Sequence, residues 1–162
     1  MTMHIGKHRH KVNVSYELRR IAEEDNKAGD VLREAGLFRN AAYFYIQSME
    51  KRVRSQAFLI VDPANRYWRE TNQHHDLYSS VGFLIEALGM DTLVAKQVKD
   101  MINTYVIDDI NFRLLHNSLR YPYYSEQRSS FSCVDYSEQD CDIIHNKLKF
   151  LINLLHDLNV YR

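Results

Sequence analysis

Histidines, arginines and carboxylates recur in this chain at spacings that could handle a phosphate. His116 and Arg120 stand four residues apart, so a continuous helix would set a titratable ring and a permanent cation on one face. Tyr121, Tyr123 and Tyr124 follow at once and offer π faces on which a base could stack, as sites for single-stranded nucleic acid or nucleotides do. The plainer alternative is that Arg120 closes the last helical turn by meeting its carbonyls while the tyrosines cover the bundle end. Glu50 and Arg54 share the same four-residue interval, which on a helix surface makes an ion pair worth about 0.2–0.5 kcal/mol. His74, His75 and Asp76 stand before an apolar run. A helix entrance there presents unpaired N–H groups and a partial positive charge that receive an anion, unless Asp76 fills the place as a cap and one histidine packs. Adjacent histidines cannot face the same way on a helix, which argues against a two-histidine metal site.

Other chemistries find less support. Asp108, Asp109 and His116 lack a local third metal ligand, so no metal is expected. Glycine-rich phosphate loops, serine elbows and zinc-protease pairs are absent from the sequence. Cys133 and Cys141 fit neither a disulfide framework nor a four-ligand zinc site and are expected as free thiols.

With 162 residues, 45% apolar, 12% aromatic and 26% charged, one packed globular domain is expected. The zero formal charge disfavours a broadly basic nucleic-acid-coating surface but permits a local patch. No apolar run is long enough to cross a membrane and the start has no signal-peptide core, so a cytoplasmic, membrane-free protein without a cofactor is expected. His4, Lys7, His8, Arg9, His10 and Lys11 make residues 1–14 a basic, solvated tail ahead of a domain over 15–162.

The elements that must position these residues are helices, because apolar residues recur every three to four positions throughout. The fold class is all-α, an up-and-down bundle of about five main helices with essentially no sheet. The first helix runs from about Ser15 to Ala35 and stops at Gly36. The second, about Phe38 to Val61, buries Ala42, Tyr45, Met49, Val53 and Ile60, and pairs with the first as a hairpin. Residues 64–73 form a link or short helix, and the third helix spans about His74 to Leu88. The fourth, about Thr92 to Leu115, presents Val94, Val98, Met101, Tyr105 and Phe112. After a break over 117–136, Ser137 and Asp140 start a final helix to about Asn159. Its broad apolar face should sit centrally, with enough left over for a twofold homodimer.

Three fragments in order, Gln47-Ser48-Met49-Glu50-Lys51, His75-Asp76-Leu77 and Arg120-Tyr121-Pro122, resemble the HEPN domain, the "higher eukaryotes and prokaryotes nucleotide-binding" family. The similarity spans roughly residues 15–159. Arg54 stands where the family's Gln-x-x-Glu-Lys-x-x-Lys stretch ends in lysine, and His116 where a tyrosine usually precedes Arg-Tyr-Pro. The resemblance implies a groove binding nucleotide or RNA, lined by Lys51, Arg54, His75, Asp76, His116, Arg120 and Tyr121. It also implies a minimal nucleotidyltransferase as partner, in a toxin–antitoxin or defence system. Two alternatives stay open. Some family branches are metal-independent endoribonucleases with an arginine four to six residues before a histidine, a spacing met here by Arg69 with His74, although Glu70 next to Arg69 is unfavourable. The other alternative is a protein-interaction scaffold whose groove holds no ligand.

Overall fold

A computed structural model describes residues 5–160, so His4 of the basic tail and residues 161–162 lie outside the described chain. The all-α expectation holds, with seven α-helices among the described residues. They are α1 (Val14–Glu34), α2 (Phe38–Phe58), α3 (Arg66–Thr71), α4 (Leu77–Leu88), α5 (Leu93–Ile102), α6 (Phe112–Ser118) and α7 (Glu138–Val160). A π-helical turn, Asn103–Ile107, extends α5, and strands β1 (Tyr123–Ser125) and β2 (Ser130–Ser132) form a hairpin before α7. No described helix is long and apolar enough to cross a membrane.

The first two helices form the expected antiparallel hairpin, held by small residues. Along α1, Ser15, Ala22 and Gly29 recur at seven-residue steps and are buried. Ser15 and Ser55 exchange hydrogen bonds, each hydroxyl donating to the other residue's carbonyl at 2.8 Å. One step along, the Ser48 hydroxyl donates to the Ala22 carbonyl at 2.7 Å. At the third step the Tyr45 ring lies against Gly29, where a Cβ would stand 2.5 Å from Cε1. Asn13 caps α1, accepting from the Tyr16 N–H at 3.0 Å. Gly36, at φ +76°, ends the helix while Leu37 N–H returns to the Leu32 carbonyl at 2.8 Å and Gly36 N–H to Arg33 at 3.0 Å.

The central position expected for the last helix belongs to α2, which packs against α1, α4 and α7. Thirteen of its twenty-one residues are buried, including the expected Ala42, Tyr45, Met49 and Val53, and this leaves α2 little solvent-facing surface. It ends at Phe58, so Ile60 and Val61 belong to the turn before Pro63. On α7 the capping box is realised: Asp140 N–H donates to Ser137 Oγ at 3.2 Å and Ser137 N–H to Asp140 Oδ2 at 2.9 Å.

Three further expectations need correction. The fourth helix is not continuous over Thr92–Leu115. It widens into the π turn, breaks at Asp108 with φ +49°, and restarts where Asn111 accepts from the Leu114 N–H at 3.1 Å. Its buried stripe is Ala95, Val98, Ile102, Val106 and Phe112, whereas Val94, Met101 and Tyr105 are exposed. The two stripes have equal spacing and differ by one residue, so periodicity alone could not choose between them. The third helix begins at Leu77 rather than His74, because Asp76 is its extended N-cap. The 117–136 break contains the hairpin, with Tyr124 opposite Phe131.

The two glycines inside helices should respond oppositely to alanine. Gly29→Ala drives a methyl into the Tyr45 ring and should cost about 1–3 kcal/mol. Gly82→Ala, with open space around the added methyl, should stabilise by roughly 0.5–1 kcal/mol. Urea denaturation of both variants checks the pair.

Candidate functional site

Arg39, Tyr43, Gln47, Glu50 and Arg54 recur along α2 at steps of four, four, three and four, a stripe distinct from the apolar one. Its end turns into the bundle, since Glu50 and Arg54 are each only 4% exposed. They are therefore not the surface ion pair that their spacing suggested. Burial makes each one's partners decisive, because an unpaired buried charge is costly.

Arg54 is fully engaged on one edge. Its Nε donates to Ser80 Oγ at 2.8 Å, and Nη1 lies 3.0 Å from the Asn72 carbonyl and 2.9 Å from His75 Nδ1. Arginine only donates, so His75 Nδ1 must accept and the ring proton sits on Nε2. Burial first, then the Arg54 charge, holds the His75 pKa below its ordinary value. Asp76 caps α4, taking the Ser79 N–H at 2.9 Å and the Ser79 hydroxyl at 2.6 Å. Burial alone would raise the Asp76 pKa, but the Ser79 hydrogen bonds and the Arg113 charge outweigh it and leave the carboxyl below its usual range. The Asp76 carboxylate thus fills the anion position at this helix entrance, and Arg54 stitches α2 to the turn before it.

Across this cluster, Glu50 Oε1 faces His116 Nδ1 of α6 at 3.6 Å, and both atoms are buried without a hydrogen-bond partner. The distance would suit a loose ion pair, but the burial of each group favours its neutral form. Burial pushes the Glu50 pKa up to about 7 against the nearby Arg54 and Lys51 charges. The same cause, followed by the Arg120 charge, lowers that of His116. A carboxylic acid facing a neutral imidazole is the consistent assignment just below pH 7, and the Glu50 proton is lost above it.

Arg120 leaves the cluster for solvent. Its Nε donates to the His116 carbonyl at 3.2 Å, so the arginine does close the last turn of α6. Nη1 and Nη2 make no hydrogen bond among the described residues. The guanidinium carbon lies 6.0 Å from the Tyr43 ring centroid and 5.5 Å from that of Tyr121. Arg39, Asn40 and Phe44 complete a surface cleft of about 350 Å³ around these three residues.

Of the expected site residues, Arg54, His75, Asp76, His116 and Arg120 are brought together with Glu50. Tyr121 joins at the rim. Lys51 does not: its ammonium turns to α1, 2.6 Å from Asp25 Oδ2 and 3.1 Å from Gln47 Oε1. Arg69 and His74 are exposed, and neither side chain makes a hydrogen bond or ion pair among the described residues. Arg69 lines a shallow cleft with Arg66, Glu70 and Gln73 that does not include His74. Sequence reasoning missed Arg39 and Tyr43, although both fall on the Glu50–Arg54 stripe. No group of three or more histidine, cysteine, aspartate or glutamate side chains suited to a metal occurs among the described residues. Comparison of the chain with family models, curated proteins and solved structures finds no match.

Glu50 should leave a mark on the pH dependence of stability. Its folded pKa lies near 7 against an ordinary 4.5, so the folded chain keeps a proton that the unfolded chain releases. The contribution is complete below about 4.5 and is lost as the pH rises through about 7. Glu50→Gln removes this dependence. The variant's stability relative to the parent should rise steadily between about pH 5 and pH 8, measured by urea unfolding at each pH. His116 has the opposite sign, with stability lost as the pH falls below 6.5, and it is common to both proteins.

Proposed function

We propose that this chain binds a phosphate-bearing ribonucleotide, free or within single-stranded RNA, at the cleft formed by Arg120, Tyr121, Tyr43 and Arg39. The observation that carries the reading is the division of labour among the cations. Arg54 and Lys51 are committed to protein acceptors and Arg39 spends one terminal nitrogen on the Leu119 carbonyl at 2.6 Å, whereas the terminal nitrogens of Arg120 are free between two tyrosine rings. A guanidinium supplies a strong, bidentate contact to phosphate, and the rings supply stacking surfaces that tolerate any base. His116 holds Arg120 through its carbonyl, and Glu50, His75 and Asp76 lie deeper in the same cluster. The HEPN-like fragments support the same reading, because the bundle gathers residues from all three. A cytoplasmic setting and a nucleotidyltransferase-like partner belong to that family context.

The endoribonuclease alternative on Arg69 and His74 draws no support from their geometry, since they do not share a cleft. A twofold homodimer remains part of the proposal, on an α5 face rather than on the α7 surplus expected from the sequence. Val94, Met101 and Tyr105 recur at steps of seven and four and are exposed along α5 and its π turn, an apolar face suited to a second copy. Light scattering should give a dimer mass at micromolar concentration, and the double variant Met101→Lys, Tyr105→Lys should give a monomer.

Arg120→Glu should weaken binding of ATP or of a labelled single-stranded RNA by at least about tenfold, the loss of one contact of about 1.5–3 kcal/mol. Its stability should fall by only about 1 kcal/mol, because the side chain is exposed and gives up one helix-closing bond and a favourable charge at the helix end. Calorimetry with ATP and anisotropy with RNA separate a nucleotide site from a strand-binding one. Parent-like binding of both ligands by the variant removes the proposal and leaves the interaction scaffold.

A further inference from the structure

A second cavity lies between the α5–α6 break and the start of α7; it shares no lining residue with the Arg120 cleft and is independent of its reading. It holds about 500 Å³, and Ile110, Leu115, Ile143 and Ile144 make its lining largely apolar. A volume of this order and a mainly apolar wall are those of a small-molecule site. What distinguishes it is the charge at its edge, where Asp108, Asp109, Asp135 and Asp140 all contribute.

The chain places one of its own alkylammonium groups here. Lys147 lines the cavity with its side chain only 12% exposed, and its Nζ lies 3.7 Å from Asp108 Oδ2. An aliphatic stem along apolar wall with an ammonium at a carboxylate is thus a geometry the cavity already accommodates. Lys147 satisfies one carboxylate, and Asp140 is occupied in capping Ser137. Asp109 and Asp135 are exposed and have no cation or hydrogen-bond partner among the described residues. Two uncompensated negative charges beside low-dielectric walls focus field into the cavity and raise the local concentration of cations. Tyr136 adds an aromatic ring, whose face attracts a cation.

These features select among ligands. An anion is repelled, and an uncharged apolar molecule gains nothing from the carboxylates. A bare divalent ion gains nothing from the apolar lining and meets no group of three suitable ligands among the described residues. A flexible hydrocarbon chain bearing more than one ammonium matches both the lining and the carboxylates from two separate segments. We propose that this cavity is a binding site for a linear aliphatic polyamine, with ammonium groups at Asp109 and Asp135 and methylenes on the isoleucine and leucine surface.

Titration of the full chain with spermidine tests the site by calorimetry, with 1,8-octanediol as an uncharged chain and Mg²⁺ at matched charge as a competitor. Saturable spermidine binding is expected, with no uptake of the diol and only partial competition by Mg²⁺. The double variant Asp109→Asn, Asp135→Asn should bind at least about tenfold more weakly, as loss of charge-assisted contacts requires. Lys147→Met should bind several times more tightly, since it frees Asp108 and removes the resident ammonium. Circular dichroism and melting of each variant establish that it is folded. Spermidine uptake that does not saturate, that Mg²⁺ abolishes, or that is unaltered in folded double variant overturns the proposal. So does a folded Lys147→Met variant that binds no more tightly than the parent.

Discussion

The close approach of α1 and α2 governs the placement of the polar residues in this fold. Helix carbonyls already accept one hydrogen bond along the helix, but each has a second lone pair. Ser15, Ser48 and Ser55 use those spare lone pairs across the interface. Gly29 continues the seam by giving room to the Tyr45 ring. That ring stacks on His145 of α7 at 4.4 Å between centroids, and its hydroxyl donates to Asp30 at 2.8 Å, so the seam is tied to a third helix. With its rotation held in this way, α2 directs Glu50 and Arg54 towards α4 and α6. A rotation by one residue would replace them with Met49 and Val53.

The cluster that results separates two duties that look alike in a list of charged residues. Arg54 is a buried cation whose donors are matched to Ser80, Asn72 and His75, and removing it would strand those acceptors. Arg120 spends one nitrogen on its own helix and keeps the others in solvent. Glu50 takes a third course, avoiding the cost of a buried charge by holding its proton. Burial and hydrogen bonding, rather than residue type, decide which group supports the cleft and which can meet a ligand.

Much of the helical layout was legible because long amphipathic segments repeat every three to four residues and end at recognisable caps. Gly36, Asp76 and the Ser137-Asp140 pair each act at or beside the boundary expected of them. The α5 region misled because Val94-Met101-Tyr105 and Ala95-Ile102-Val106 are equally periodic, and only tertiary packing selects the second. The gathering of Arg54, His75, Asp76, His116 and Arg120 was expected from motif order. The commitment of Lys51 to Asp25 was not, since that partner lies on another helix. Arg39 and Tyr43 were within reach of periodicity alone, had the polar stripe of α2 been followed towards its start. The acid-edged cavity had no local signature, because its carboxylates come from two segments far apart in the chain.

The π turn at Asn103–Ile107 acts like a single residue spliced into an otherwise regular coil. Each such addition advances every later side chain by about 100° around the axis, a consequence of 3.6 residues per turn. Val106 continues the buried stripe of α5, the chain beyond it falls out of phase with that helix, and the reversal at Asp108 releases it in a new direction. His116 meets Glu50 from that new direction. In genetic terms, this segment is where gain or loss of one codon would change what the bundle carries on its rim while leaving the helices before it in place.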